Sequence, residues 1–282
     1  MRYCNIQTPD GIIGCAAAEK GLVPFEKLGF SGTLQELIEA DTDTQNAVRT
    51  AAENWTGETL NPETAAFANV TAGGKLLCVG LNYKKHAEET KGEAPPCPVY
   101  FSKFGDALCP DKTEVELPPW QRCYDYEGEL VIVIGRTAWH IEEDEADDYI
   151  FGYSVGDDLS ARDCQFLSNQ WLSGKSMPNF APTGPYVTTK DSFDPEKDNR
   201  IVTRVNGTIR QDDFTSGMIF TCRHIVANAS KYFKLQPGDL IYTGTSAGVI
   251  LGMPKGTRVW LKPGDTVEVE IEGIGTLTNR MI

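Results

Sequence analysis

Tyr124-Asp125-Tyr126-Glu127-Gly128-Glu129-Leu130-Val131-Ile132-Val133-Ile134-Gly135 leads two carboxylates directly into a run of β-branched apolar residues. Read as a strand, the run has a period of two, which puts Glu127 and Glu129 on the same face within a few ångströms of each other. Like charges held that close repel, raise one another's pKa and call for a compensating cation. A divalent metal is the simplest candidate.

The chain has 282 residues, enough to bury a sizeable core in one large domain or one large and one small. Its 40 acids against 26 bases, a formal charge of −14, argue against nucleic acid or an anionic membrane as partner, since both require a basic surface. Eight cysteines are spread without a Cys-x-x-Cys pair, and no basic segment followed by an apolar run opens the chain. They read as free thiols in a reducing cytoplasm. No apolar run approaches the length of a membrane span.

Outward from the opening stretch, Leu76 to Gly80 and Pro98 to Phe101 read as strands, as do Ile150 to Gly156, Pro185 to Thr189, Arg200 to Val205, Leu240 to Thr243, Val259 to Leu261 and Thr266 to Ile271. Asn206-Gly207 is a hairpin turn. Glu142 to Tyr149 and about Phe220 to Lys231 read as helices. Ahead of them, a hairpin over Met1 to Ala17 and helices over Leu34 to Ala40 and Thr44 to Glu53 suggest a small N-terminal α+β domain, residues 1–72, joined near Ala72-Gly73-Gly74 to a catalytic domain, residues 73–282. The class is β-rich α+β.

Several stretches could carry chemistry. Glu127, Glu129 and either Asp157 or Asp158 leave two strands and could present three oxygens to one hard cation, magnesium or manganese rather than zinc. Lys175, in Gly174-Lys175-Ser176, could stabilise charge developing on a substrate oxygen. His86 and Glu89 are spaced to share one face of a short helix, the usual way to orient a general base. Thr243-Gly244-Thr245-Ser246-Ala247-Gly248 offers small residues that let backbone N–H groups approach a carboxylate.

In order along the chain, Glu127-Gly128-Glu129-Leu130-Val131-Ile132-Val133-Ile134-Gly135, Phe151-Gly152-Tyr153-Ser154-Val155-Gly156-Asp157-Asp158-Leu159-Ser160-Ala161-Arg162-Asp163, Gly174-Lys175-Ser176, Val205-Asn206-Gly207, Pro237-Gly238-Asp239-Leu240-Ile241, Thr243-Gly244-Thr245 and Leu261-Lys262-Pro263-Gly264-Asp265 closely resemble the fumarylacetoacetate hydrolase family, in its acylpyruvate hydrolase and 2-hydroxyhepta-2,4-diene-1,7-dioate isomerase-like branch. The resemblance covers about residues 76 to 282. It implies a mixed β-sheet roll, a homodimer, and magnesium or manganese bound by Glu127, Glu129 and Asp158. It further implies Lys175 as the substrate-polarising lysine, Lys103, Gln165 and Thr245 as substrate contacts, and His86 with Glu89 as a water-activating dyad on a lid between Leu81 and Cys97. Two departures, Ser246 after Thr-Gly-Thr and Met177-Pro178-Asn179-Phe180 after the lysine, touch the substrate end of the site.

The activity this implies is hydrolysis of a carbon–carbon bond in a 2,4-dioxo acid of the acylpyruvate type. A pyruvate enolate would be left, its charge held by the metal and Lys175. Oxaloacetate-type decarboxylation and 2-hydroxydienoate isomerisation use the same enolate without an attacking water.

Overall fold

The strand Gly128–Ile134 is buried along its whole length, and its two faces meet different partners. Leu130, Ile132 and Ile134 pack with Ile201, Val267, Val269, Ile271 and Leu277 of a second sheet. Val131 and Val133, one step out of phase, pack with Tyr3, Val23, Leu34, Leu37 and Ile38 of the N-terminal segment. The uninterrupted apolar run is therefore the sequence of a middle layer, covered on both sides.

The structure, a computed structural model, describes residues 1–72, 74–89 and 94–282. Among these, the large sheet has ten strands in the order Gly21–Pro24, Gly11–Ala18, Arg2–Thr8, Val187–Thr189, Ile150–Asp157, Gly128–Ile134, Leu240–Thr245, Leu76–Gly80 and Val99–Lys103, with Phe67–Ala68 also on Arg2–Thr8. Leu240–Thr245 runs parallel to Leu76–Gly80 while the other pairs in this order are antiparallel, so the sheet is mixed. The second sheet has five strands, Thr208–Phe214, Arg200–Val205, Thr266–Ile271, Gly275–Met281 and Glu114–Val115. The fold is mixed α+β and sheet-rich, as expected. Residues 1–72 put their strands into the large sheet itself. The joint expected at 72–74 includes residue 73, and the lid expected over 81–97 includes 90–93, which lie outside the described residues.

Local signals in the sequence account for most elements. Thr33 and Glu36 form a capping box at the start of Leu34–Glu39, whose Leu34, Leu37 and Ile38 are buried. Asp41 caps Thr42–Glu53 and Thr221 caps Cys222–Ser230. Asn206 and Gly207 both have positive φ, 52° and 75°, as a two-residue hairpin turn requires. One expectation is refined and another corrected. Glu143–Tyr149 is a 3-10 helix, because Ala146 alone is buried and no apolar stripe draws the segment into an α-helix. Val259 to Leu261 forms no strand: Val259 is exposed and only a single bridge, Leu261 to Tyr124, ties the segment down.

Glycine between the two glutamates has a packing reason. A Cβ on Gly128 would lie 2.2 Å from Thr203 Oγ1 and 2.9 Å from Val269 Cγ1, both on the facing sheet. Gly128→Ala should therefore cost about 1–3 kcal/mol, as overpacking does. A lowered denaturation midpoint at unchanged m-value would show it, and an unchanged midpoint would mean the two sheets can separate locally at no cost.

Candidate active site and metal centre

The opening stretch does not form one continuous strand. Tyr124–Asp125 and Gly128–Ile134 are separate, because the amides of Tyr126 and Glu127 donate to the side chains of Asp125 and Asp157, at 3.0 and 2.8 Å, instead of to a neighbouring strand. This break sets the orientation of the acids that follow. Asp157 turns to the Glu127 backbone, and Asp158, whose own amide donates to the Glu127 carbonyl at 2.9 Å, turns the other way. The choice between Asp157 and Asp158 is thus made by the backbone: Glu127, Glu129 and Asp158 converge, with one oxygen from each lying within 4.8 Å of the others. All three are buried.

Glu129 is placed by a register shift. It pairs with Thr245 while Val131 pairs with Tyr242, so the partner strand carries an extra residue at Thr243-Gly244. Gly244 has φ +100° and its amide donates to Glu129 Oε2 at 2.8 Å. Thr245 donates to the Gly128 carbonyl at 3.0 Å and accepts from Gln211 at 2.7 Å, while Gln211 also accepts from the Gly128 amide at 3.0 Å.

Cations surround the acids unevenly. Lys175 Nζ donates to Glu127 at 2.5 Å and to Asp158 at 2.7 Å, and Arg162 donates to Glu127 at 2.6 Å. Burial works against ionisation of Glu127, but the Arg162 guanidinium and Lys175 ammonium hold its carboxyl well below the usual range. Burial, reinforced by the charges of Asp158 and Glu127, pushes Glu129 well above it. Burial alone would discharge Lys175, yet Asp158 and Glu127 lift it to about 12, so it stays cationic. Burial also pushes Asp157 up to about 7. The triad is a set of hard oxygen donors with no histidine or cysteine among its members, a donor set that suits a hard divalent cation better than zinc.

The triad lines a cavity of about 750 Å³ together with His86, Glu89, Gln165, Lys175 and Thr245. His86 and Glu89 lie on the helix Lys84–Glu89, with Nδ1 2.8 Å from Glu89 Oε1. Lys103 is the exception among the expected substrate contacts. It lies behind Asp158, its Nζ 2.6 Å from Oδ1 and donating to the carbonyls of Leu159 and Phe180, and it does not line the cavity. Its strand, Val99–Lys103, pairs with Leu76–Gly80, and Lys103 holds the Asp158 oxygen that Lys175 does not, a positioning contact.

The structure adds residues that the sequence reading passed over. Arg162 spans the site: Nε donates to Asp125 at 2.9 Å, Nη1 to Gln165 at 2.9 Å and Nη2 to Glu127. Asp125, fully buried, also accepts from the amides of Ile250 and Leu251 at 2.8 and 2.9 Å. Glu89 accepts from the amide of Gly248 at 3.0 Å. The loop after Thr245 is therefore pinned both to the helix carrying His86 and to the acids. Asp125 and Arg162 stand inside the motifs quoted above, but nothing in their spacing marks a partner 37 residues away.

Residues 75–282 match the family model described as fumarylacetoacetate (FAA) hydrolase C-terminal. The human protein named oxaloacetate tautomerase FAHD2A, mitochondrial, is 36% identical over 252 residues, 89% of this chain and 80% of its own. A solved structure of 5-carboxymethyl-2-hydroxymuconate delta-isomerase from Mycobacterium smegmatis has a TM-score of 0.80 at 31% identity, covering 100% of this chain and 99% of its own. That of 2-hydroxyhepta-2,4-diene-1,7-dioate isomerase from Mycobacterium marinum has a TM-score of 0.76 at 33% identity, covering 100% and 98%. With the ordered motifs, the sheet and the carboxylate cavity all in agreement, the chain belongs to the fumarylacetoacetate hydrolase family of enzymes.

Proposed function

We propose that this protein transfers a proton at the carbon next to the keto group of a 2-oxo dicarboxylic acid, interconverting its keto and enol forms. The observation that carries this reading is the presence, along one cavity, of a carboxylate-paired histidine and a buried cluster of three acids beside a charged lysine. The named activities of the relatives, an oxaloacetate tautomerase and isomerases of unsaturated diacids, involve shifts of protons and double bonds without consumption of water.

Glu127, Glu129 and Asp158 would hold magnesium or manganese. The chemistry such a cation supplies when bound is Lewis-acid polarisation of the 2-oxo oxygen. His86, its imidazole oriented by Glu89, takes the proton from C3. The C–H pair becomes the C2=C3 double bond, and the former carbonyl pair moves to oxygen, where Lys175 offsets the developing charge. Return of the proton to that oxygen gives the enol, and the reverse sequence gives the ketone. Gln165, fixed by Arg162, and Thr245, fixed by Gln211, orient the acid's oxygens.

Hydrolysis of a 2,4-dioxo acid is the second reading. The same dyad favours it, since a carboxylate-oriented histidine can equally take a proton from water. Assays with the enol of oxaloacetate and with short acylpyruvates, each with magnesium or manganese, separate the two. We expect accelerated loss of enol absorbance and intact acylpyruvates. Cleavage of acylpyruvates with no effect on the enol would establish hydrolysis instead, and loss of carbon dioxide from oxaloacetate would establish decarboxylation.

For the assembly we propose a homodimer, supported by the exposed apolar side chains of Phe166 and Leu167, 55% and 77% accessible, beside the cavity mouth. A reducing compartment suits the eight unbridged cysteines. We keep the cytoplasm as the proposed location, although the human relative is named as mitochondrial. No helix among the described residues is long and apolar enough to cross a membrane.

A further inference from the structure

Among the described residues, four cationic side chains line the cavity: Arg162, Lys175, Lys255 and Arg258. The first two are committed to Glu127, Asp125 and Asp158. The other two, both on the loop after Thr245, have no carboxylate within ion-pair distance among the described residues. In a chain with 40 acids and 26 bases, a cation facing a cavity without an acid partner is a mark of something anionic to be bound there.

Arg258 is also held in place. Its Nε donates to the Met253 carbonyl at 2.9 Å and an Nη donates to the Leu251 carbonyl, and its guanidinium carbon lies 5.8 Å from the centre of the Trp260 ring. Carbonyls orient a guanidinium without neutralising it, so its full charge remains for a ligand. The loop itself is pinned by Asp125 at Ile250 and Leu251 and by Glu89 at Gly248, which spares the ligand much of the ordering cost.

From this geometry we propose that Arg258, with Lys255 beside it, binds the second carboxylate of the substrate and makes the enzyme selective for diacids over monoacids. The inference rests on the proton-transfer reading for the identity of the substrate's other end, the 2-oxo acid group at the triad. A cavity of about 750 Å³ is large for a four-carbon diacid, so the length at which the far carboxylate meets Arg258 is part of what the substrate series below measures.

The test pairs 2-oxo acids of equal length with and without a terminal carboxylate: oxaloacetate with 2-oxobutanoate, 2-oxoglutarate with 2-oxopentanoate, and 2-oxoadipate with 2-oxohexanoate. Binding to magnesium-loaded protein is read by calorimetry, and exchange of the C3 protons in heavy water by NMR. For the best-fitting length, the diacid should bind roughly 10- to 100-fold more tightly than its partner, the range expected when a charged hydrogen-bonding group is matched. Arg258→Met should remove most of that ratio through KM, Arg258→Lys should restore part, and Lys255→Met should lower it less. Because Arg258 also holds two loop carbonyls, magnesium affinity and Tm are measured for each variant, and Lys255→Met, which removes no loop hydrogen bond, gives an independent reading.

Equal binding of both members of every pair by the unaltered protein would overturn the proposal. So would a diacid preference that survives in both Arg258→Met and the double variant with Lys255→Met. If the binding preference is present and depends on Arg258 but no C3 exchange is seen, the carboxylate clamp stands and the proton-transfer reading falls.

Discussion

Glu129→Ala should abolish turnover and weaken magnesium or manganese binding by more than about 100-fold, beyond the 10- to 100-fold that loss of a partner one shell further out costs. Among the described residues, Glu129 is the member of the triad with no ion-pair partner: Glu127 is shared by Lys175 and Arg162, and Asp158 by Lys175 and Lys103. Its carboxylate accepts from the Gly244 amide, and burial beside two other acids lifts its pKa. This arrangement is costly without a cation and favourable with one. Calorimetry on chelator-stripped protein checks the expectation. Thermal melts with and without magnesium give a second measure, since a ligand that binds only the native state raises Tm by mass action. The parent protein should gain Tm on addition of magnesium and the variant should not. Unaltered metal affinity in Glu129→Ala would remove Glu129 from the ligand set.

His86→Asn should lower kcat by about 10²- to 10⁴-fold, the usual contribution of a positioned acid–base group, with little change in metal affinity or in the binding of oxalate. The separation follows from the architecture. His86 reaches the cavity from the helix Lys84–Glu89, whereas the triad is carried by the paired strands Gly128–Ile134 and Ile150–Asp157 and the residues flanking them. Glu89→Gln is informative beside it. Glu89 both orients His86 and accepts from Gly248, so its loss should lower kcat and also loosen the loop that carries Lys255 and Arg258, raising KM. If His86→Asn weakens oxalate binding as much as it lowers kcat, the histidine shapes the cavity without moving the proton.

The route by which Lys175 contributes is also constrained by the structure. Lys175 reaches Glu127 and Asp158 from a short helix, Leu172–Lys175, and stacks over Phe101 with its Nζ 5.1 Å from the ring centre. It is fully buried, and its charge is maintained by the two carboxylates it touches. A buried ammonium held this way cannot act as a base near neutral pH. It is suited to stabilising negative charge on an adjacent oxygen, in keeping with the proposal that His86 moves the proton.

By itself, the sequence determined the family, the β-rich architecture and the carboxylates. Those features are local: a two-residue period, capping residues before helices, Asn-Gly at a hairpin, and short motifs whose order along the chain is specific. It also placed His86 and Glu89 together, because three residues on a helix is a fixed distance. The tertiary structure decided what depends on chain segments far apart. It supplied the physical reason for Asp158, which the family resemblance already implied over Asp157, in one backbone hydrogen bond from Glu127, 30 residues earlier, to the Asp157 side chain, and it set Lys103 against Asp158. It joined Asp125, Arg162 and the amides of Ile250 and Leu251 into one network, and brought Arg258 to the same cavity as the acids. No periodicity encodes such contacts, because they arise when two sheets and the loops between them pack, and packing joins residues by shape and charge instead of by position in the chain.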